Sequence, residues 1–496
     1  MKSTKEWIDN VIKQDQIDKY LDNGKDFIDD RFITKTLEDA KVPSRERLDE
    51  ILAKSMAVET LLLTETAELL KVTDPDMIEK MRETALKVKL KVYNNRIVTF
   101  APLYLANKCI NNCQYCGFKC DNKNTQRMVL STAEIKKEIE VLAGKIGHKR
   151  LIVVYGEHPE SGIDYIEGSL KTIYDVKVPV CRRGDCPQSP EKKWFGQIRR
   201  VNVNAAPMDI EDLKRLKDAG IGTYQVFQET YNHDMYRKMH PENTLKGNYA
   251  WRLYAMHRAF EAGIDDVGLG ALFGLYDWRF EVLGLVAHSR ELEKRFGIGP
   301  HTISFPRIEP AHNAEYTTSS PYLVSDDDFK KLMVVIRLSV PHTGMIITAR
   351  ESAQMRKDAF RFGCTQTDAS SCIEIGGYGK GEDDQKDTKQ QFLLSDTRSL
   401  DEVIGDYAKM GYITSFCTAG YRCGRTGECI MNLLKEGKEG VFCKLNAILT
   451  FREWLDDFAT EKTKEAGEKV IQKELEEVKA EIPELYPRLI EQYKKT

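Results

Sequence analysis

The chain has 496 residues, 41% of them hydrophobic and 30% charged, with a formal net charge of −3. This composition belongs to a soluble globular protein with room for one large domain plus an extension. The charge balance excludes the electrostatic footprint of a nucleic-acid binder or of a protein held on an anionic membrane.

Residues 1–95 read as a helical segment, with Leu61, Leu62, Leu69, Leu70, Met77 and Met81 at helical spacing. Met1-Lys-Ser-Thr-Lys-Glu-Trp7 has no signal-peptide core. No apolar run nears the ~20 residues that span a bilayer. A cytoplasmic chain is expected.

From residue 96 the rhythm changes. Strands are predicted at Ile97–Leu105, Arg150–Tyr155, Arg200–Ala205, Thr223–Gln228, Asp265–Gly270, His301–Phe305, Gly344–Thr348 and Gly363–Thr367. Helical patterns alternate with them at Ala133–Leu142, Ile210–Ala219, Trp251–Ala262, Phe280–Arg295 and Asp327–Ser339. Strand–helix alternation implies parallel strands, and eight units predict an α/β fold, a closed (β/α)8 barrel of TIM type over residues 96–375. Residues 376–496 form a cysteine-bearing extension. Its tail, Trp454–Tyr493, reads as a solvated helix with pairs such as Glu465–Lys469.

Barrel enzymes work on the loops that come after their strands. Here those loops hold a cysteine run, then Gly156-Glu157-His158-Pro159, Ala206-Pro207, Gln228-Glu229-Thr230-Tyr231, Gly270–Asp277, Pro306-Arg307, Arg350-Glu351 and Ser370-Ser371. The polar and glycine-rich oddities gather at one rim.

The run after the first strand is Asn107-Lys-Cys-Ile-Asn-Asn-Cys-Gln-Tyr-Cys-Gly-Phe118. Twelve cysteines in a chain without a signal peptide point to metal binding or catalysis rather than to a disulfide framework. Cys109, Cys113 and Cys116 suit three corners of a [4Fe–4S] cluster and leave one iron without a protein ligand. A zinc knuckle is the competing reading, and it needs a fourth ligand, for which Cys120 is the candidate. The Cys-x₃-Cys-x₂-Cys spacing, with Tyr115 before its third cysteine, resembles the signature of the radical S-adenosylmethionine enzymes.

For S-adenosylmethionine the rim offers Gly156 and Glu157 toward the methionine amino group, and Gln228 and Glu229 toward the ribose. Gly270 allows close backbone approach, Tyr115 offers a ring for adenine, and Arg252 is a further candidate. Glu157 also fits a helix N-terminal acid, Tyr115 a shield for a cluster, and Arg252 a surface helix residue. Arg307, after Ser304-Phe305-Pro306, is the candidate for an amino-acid carboxylate because its planar fork suits one, with Ser304 beside it and Arg350 able to serve the same end. A structural pairing of Arg307 with Glu309 competes.

Tyr224-Gln-Val-Phe-Gln-Glu-Thr-Tyr231 and Gly270-Ala-Leu-Phe-Gly-Leu-Tyr-Asp277, with Val98–Phe118, Arg150–Pro159 and His301–Pro310, resemble the radical S-adenosylmethionine tyrosine lyases. That group holds the [FeFe]-hydrogenase maturase HydG and the thiazole-pathway lyase ThiH, and the likeness covers most of residues 40–450. The resemblance implies a 5′-deoxyadenosyl radical that attacks bound L-tyrosine and breaks its Cα–Cβ bond, giving p-cresol and dehydroglycine. It also implies a low-potential electron donor. In the maturases a second, C-terminal cluster turns dehydroglycine into carbon monoxide and cyanide, alongside other hydrogenase maturation proteins.

The chain departs from that pattern at its C-terminal motif, Cys-x₂-Cys-x₂₂-Cys in the maturases. Cys417 and Cys443 hold the outer positions, and Gly420, which cannot ligate iron, holds the middle one. Cys423 and Cys429 are candidate replacements, so the second Fe–S cluster is expected with altered geometry. Asp175–Phe195, with Cys181 and Cys186, reads as an insertion, and Cys372 stands where a basic residue is expected. Two rivals remain. One is a homologue that stops at dehydroglycine or uses another amino acid, and the other is a scaffold that carries iron or zinc without turnover.

Overall fold

A computed structural model describes residues 4–180, 194–380, 390–418 and 439–495. Cys181, Cys186, Gly420, Cys423 and Cys429 lie outside the described residues.

The strands run in chain order as β1 (Arg96–Ala106), β2 (Arg150–Tyr155), β3 (Val178–Val180), β4 (Trp194–Gly196), β5 (Arg200–Asn204), β6 (Tyr224–Gln225), β7 (Val267–Gly270), β8 (Thr302–Ser304), β9 (Gly344–Ile347), β10 (Gln366–Asp368) and β11 (Ile413–Ser415). Eight of them, β1, β2 and β5–β10, form one parallel sheet that closes when β10 returns beside β1, with Val98 opposite Gln366. All eleven residues of β1 are buried. Such a run, covered on both faces, is what a barrel strand inside a ring of helices requires.

Side-chain caps fix where the surrounding helices begin. Ser131, Asp209, Ser325 and Ser352 each accept a backbone N–H from the first turn of their helix. With helix starts set this way, each connection returns the chain to the bottom of the barrel and delivers the next strand's C-terminal end to the top.

Each of the eight predicted barrel strands has its counterpart, most of them shorter than expected. Several features differ from expectation. The helix over Trp251–Ala262 is broken at Tyr254 into Tyr249–Leu253 and Ala255–Glu261. The Arg258 guanidinium donates to the Trp251 carbonyl at 2.5 Å, and an intruding side chain of this kind interrupts the helical ladder. Beyond residue 375, β11 pairs in parallel with the start of β1, Arg96 opposite Ile413, so the extension adds to the sheet's lower edge. Across the stretch read as an insertion, β3 and β4 pair antiparallel.

The tail corrects the solvated-helix reading. It forms helices Glu439–Asp457, Glu461–Glu481 and Tyr486–Lys495. Trp454, Val470, Ile471, Leu475 and Val478 are buried in the main core, and Glu474 accepts from Asn95 at 2.6 Å beside Lys444. Glu474 and Lys444 are buried with the packed face, while Glu465–Lys469 remains an exposed pair at 2.7 Å. Among the described residues no helix is long and apolar enough to cross a membrane.

One buried cation marks the packing between the N-terminal helices and the barrel. Lys89, on the helix Pro75–Tyr93, has no exposed surface; its ammonium donates to the Phe360 carbonyl at 3.3 Å and stands 4.1 Å over the Tyr412 ring. Burial pulls its pKa from 10.5 down to about 7. The unfolded chain therefore binds the proton more readily, and stability falls as pH drops from about 10.5 to about 7. Lys89→Met should raise stability at pH 7 by up to roughly 4 kcal/mol, at about 1.4 kcal/mol per pKa unit. The gain should shrink as pH approaches 10, as denaturant titrations at both pH values would reveal. A loss of stability at pH 7 contradicts this account.

Candidate active site

The C-terminal ends of the barrel strands surround a cavity of about 210 Å³. The cysteine run forms one end of it. β1 terminates at Ala106, and Asn107 fastens the start of the cysteine loop: its side-chain amide donates to the Gln126 carbonyl at 2.8 Å and its Oδ1 accepts from Met128 at 2.6 Å. The loop then passes so close to β2 that a Cβ on Gly156 would stand 2.1 Å from the Lys108 carbonyl oxygen. Only glycine lets the two strand ends meet here.

Cys109, Cys113 and Cys116 all line the cavity. Burial, with Glu157 and Cys116 nearby, pushes the Cys109 thiol up to about 12, and burial raises Cys113 as well. Binding iron must therefore displace protons. Among the described residues no three His, Cys, Asp or Glu side chains converge as ligands of a single ion would. Cys120 does not line the cavity; its thiol lies against Asp121 at 3.8 Å. The donor set facing the cavity is three thiols, which fits three corners of a four-iron cluster with one iron open.

Glu157 is the acid beside that triplet. Its carboxylate accepts from Asn111 at 2.6 Å and from Arg252 at 2.9 Å. Burial alone would raise this carboxyl, but Arg252 and Lys246 outweigh it and hold the pKa below the ordinary value. Glu229 sits opposite with φ +72°, a left-handed backbone that a non-glycine residue adopts at a cost. It lies beyond the end of β6, bridged in parallel to Ala271, and turns its carboxylate to Lys246 at 2.7 Å, with Arg252 at 3.8 Å. Two carboxylates and two cations thus form one buried network beside the cysteines.

Tyr115 lines the same cavity. Its hydroxyl lies 2.8 Å from His240 Nε2, and His240 Nδ1 lies 2.9 Å from the Tyr236 carbonyl. A carbonyl only accepts, so Nδ1 carries the hydrogen and Tyr115 donates to Nε2. Burial holds His240 well below its ordinary pKa, which keeps it neutral for that role.

The remaining candidates separate. Gln228 does not line the cavity; its buried amide has no hydrogen-bond partner among the described residues. Gly270 sits behind the wall, where its carbonyl accepts from the Gln228 N–H at 2.9 Å. Ser304 faces in, with its hydroxyl held by the Gln225 amide at 2.7 Å. Arg307 lies outside the cavity, clamped by Glu351 and, at 2.8 Å, by Asp326. Its carboxylate partners are therefore these two, not Glu309. Arg350 faces into the cavity and is half-buried; its guanidinium stacks on Phe392 at 3.3 Å, donates to the Arg307 carbonyl at 3.4 Å and forms no ion pair among the described residues.

Cys417 and Cys443 lie at the other end of the barrel. Cys417 comes just after β11 with its sulfur 3.6 Å from Arg200 at the start of β5, and both thiols act on the buried Tyr93.

Asn111, Lys246 and the segment around Phe392 were not marked by sequence reasoning. Asn111 offered a signal, since it stands inside the cysteine run. Lys246 and Phe392 offered none, because each reaches the site only through folding.

A model of the Radical SAM superfamily matches residues 103–282, and one of the Biotin and Thiamin Synthesis associated domain matches residues 304–413. The barrel and its three-thiol mouth are those of a radical SAM enzyme, a class that works with a [4Fe–4S] cluster and S-adenosylmethionine. The 2-iminoacetate synthase of Salmonella typhimurium is 29% identical over 68% of this chain and 81% of its own length. A crystal structure of HydG, a maturase of the [FeFe]-hydrogenase, is 43% identical, with a TM-score of 0.86 over 95% of this chain and 97% of that one. HydG from Carboxydothermus hydrogenoformans is 35% identical, with a TM-score of 0.75 over 97% of this chain and 99% of its own. The chain belongs to the HydG family of radical SAM carbon–carbon lyases.

Proposed function

We propose that this enzyme breaks the Cα–Cβ bond of L-tyrosine, giving p-cresol and dehydroglycine. The observation that carries the reading is one cavity with the cysteine triplet at one end and Arg350, a half-buried cation without an ion pair among the described residues, on its wall. When bound, the [4Fe–4S] cluster supplies one electron from a low-potential donor to S-adenosylmethionine, whose cleavage leaves a 5′-deoxyadenosyl radical.

The chain's own residues then have separate tasks. Cys109, Cys113 and Cys116 hold the cluster as thiolates. Glu157, fixed by Asn111 and Arg252, takes the methionine ammonium, next to the close backbone approach at Gly156. Glu229, anchored by Lys246, takes ribose hydroxyls, and Tyr115 packs on adenine. Arg350 takes the tyrosine carboxylate in its planar fork, with Ser304 within the same wall. Phe227, Phe392 and Leu394 exclude water so that the radical meets only its substrate. Gln228, Gly270 and Arg307 support this wall from behind.

The wider maturase reaction, with carbon monoxide and cyanide as products and hydrogenase maturation proteins as partners, requires a second cluster. Cys417 and Cys443, with Cys423 and Cys429, are its proposed ligands. Gly420 at the middle motif position favours a second reading, in which the reaction stops at dehydroglycine. Anaerobic turnover with L-tyrosine separates the outcomes. p-Cresol together with carbon monoxide and cyanide establishes the maturase reaction, and p-cresol without them the shorter one. Absence of p-cresol while 5′-deoxyadenosine accumulates overturns the tyrosine assignment.

A further inference from the structure

Residues 390–396 cross the cavity mouth as a strap between the cysteine run and the end of β9. At one end the Gly117 N–H donates to the Gln391 carbonyl at 3.0 Å. At the other, the Ser395 and Asp396 N–H groups donate to the Ala349 carbonyl at 2.9 and 3.0 Å. The strap rests on Gly117 so closely that a Cβ there would stand 2.9 Å from the carbonyl oxygens of both Gln390 and Gln391.

Seated in this way, the strap delivers one side chain to the cysteines. The Gln391 amide nitrogen lies 3.5 Å from Cys116 Sγ, 275 residues away in sequence. On the other side the Tyr104 hydroxyl donates to Gln391 Oε1 at 2.8 Å. With the amide reversed, an oxygen would face the sulfur and the Tyr104 hydroxyl would meet an N–H. A hydroxyl can accept as well as donate, so the choice falls to the sulfur: a ligating thiolate only accepts, and it selects the arrangement with the amide N–H toward Cys116 and Oε1 toward the Tyr104 hydroxyl.

We propose that Gln391 is a positioning residue that sets the reduction potential of the cluster held by Cys109, Cys113 and Cys116, and that it does so only while the strap is seated. This rests on the reading of Cys116 as a cluster ligand. A reduced cluster carries one more negative charge than an oxidised one, part of it on the ligating sulfurs. An N–H aimed at such a sulfur stabilises the reduced form more and raises the potential. The Phe118 N–H also points at Cys116 Sγ, at 3.4 Å, but it belongs to the cysteine run itself. Gln391 is a donor from a distant segment, so it makes the ease of reduction depend on whether the mouth is covered.

The test is EPR-monitored redox titration of anaerobically reconstituted holoenzyme, with the signal that changes on adding S-adenosylmethionine taken as that of this cluster. Gln391→Leu should move the midpoint to lower potential at unchanged iron content. Gln391→Glu, which places a negative charge near the sulfur, should move it further the same way. Tyr104→Phe keeps the amide but removes the partner of its oxygen, and Gly117→Ala lifts the strap; each should give a smaller shift of the same sign. Midpoints unchanged in Gln391→Leu and Gln391→Glu, or shifts of opposite sign, overturn the proposal. Should the Gln391 variants not take up iron, Tyr104→Phe decides in the same way. A wild-type protein that shows no such signal fails the cluster reading itself, which is a separate result.

Discussion

Cys113→Ala should remove 5′-deoxyadenosine formation, lowering it by more than about a thousandfold, because without a bound cluster nothing in the protein can donate one electron. Bound iron at the triplet should fall with it. Cys113 is buried, and its sulfur opens onto the cavity with Cys109 and Cys116. Cys120→Ala is the informative contrast. Its thiol lies against Asp121 and away from the cavity, so iron content and S-adenosylmethionine cleavage should stay close to wild type. Colorimetric iron determination and chromatography of the nucleoside check both variants. Equal damage from the two would mean four protein donors, and with them a closed site.

Arg350→Gln should lower kcat/KM for L-tyrosine by about tenfold to a hundredfold, the range expected from losing hydrogen bonds between charged groups worth about 1.5–3 kcal/mol. The loss should appear mainly in KM, while cleavage of S-adenosylmethionine without amino acid persists. The reason is where the two candidate arginines lie. Arg307 is already claimed by Glu351 and Asp326, so it has no fork left for a substrate. Arg350 has a stacking partner in Phe392 and no ion pair among the described residues. Arg307→Gln should therefore leave KM for tyrosine near wild type and act on stability instead. It strips the partner from Glu351, whose side chain is only 2% exposed, at a cost of about 3 kcal/mol. Steady-state kinetics beside thermal unfolding separates the two arginines. A large rise in KM for Arg307→Gln with none for Arg350→Gln would reverse the assignment.

The contrast between these arginines shows how far the sequence carries. The barrel could be read from it because its signals are local. Val and Ile runs bounded by turns mark strands, and caps such as Ser131 and Asp209 mark helix starts. The cysteine run could be read because all its ligands lie within one short loop. What could not be read was set by distant partners. The sequence favours Arg307 over Arg350 for the carboxylate, and only the fold shows that Glu351 and Asp326 already occupy Arg307. Gln228 and Glu229 are neighbours with the same polar character. Both lie beyond β6, where the fold keeps the Gln228 side chain out of the cavity and the left-handed backbone at Glu229 accompanies a carboxylate in the network with Lys246. The tail looked solvated because its Glu and Lys residues outnumber Val470, Ile471 and Val478, which are nonetheless the residues that pack. β11 carries no sequence signal because three residues at a sheet's lower edge have no periodicity of their own.

Three thiols at one end of the cavity imply an iron that the protein leaves open. The most direct measurement of that claim is anaerobic incubation of the iron-reconstituted protein with S-adenosylmethionine and dithionite. The account predicts 5′-deoxyadenosine and methionine in equal amounts, together with an EPR signal that S-adenosylmethionine alters. Protein with its full iron content at the triplet that yields neither nucleoside nor spectral change, or a triplet that retains zinc under these conditions, would contradict it.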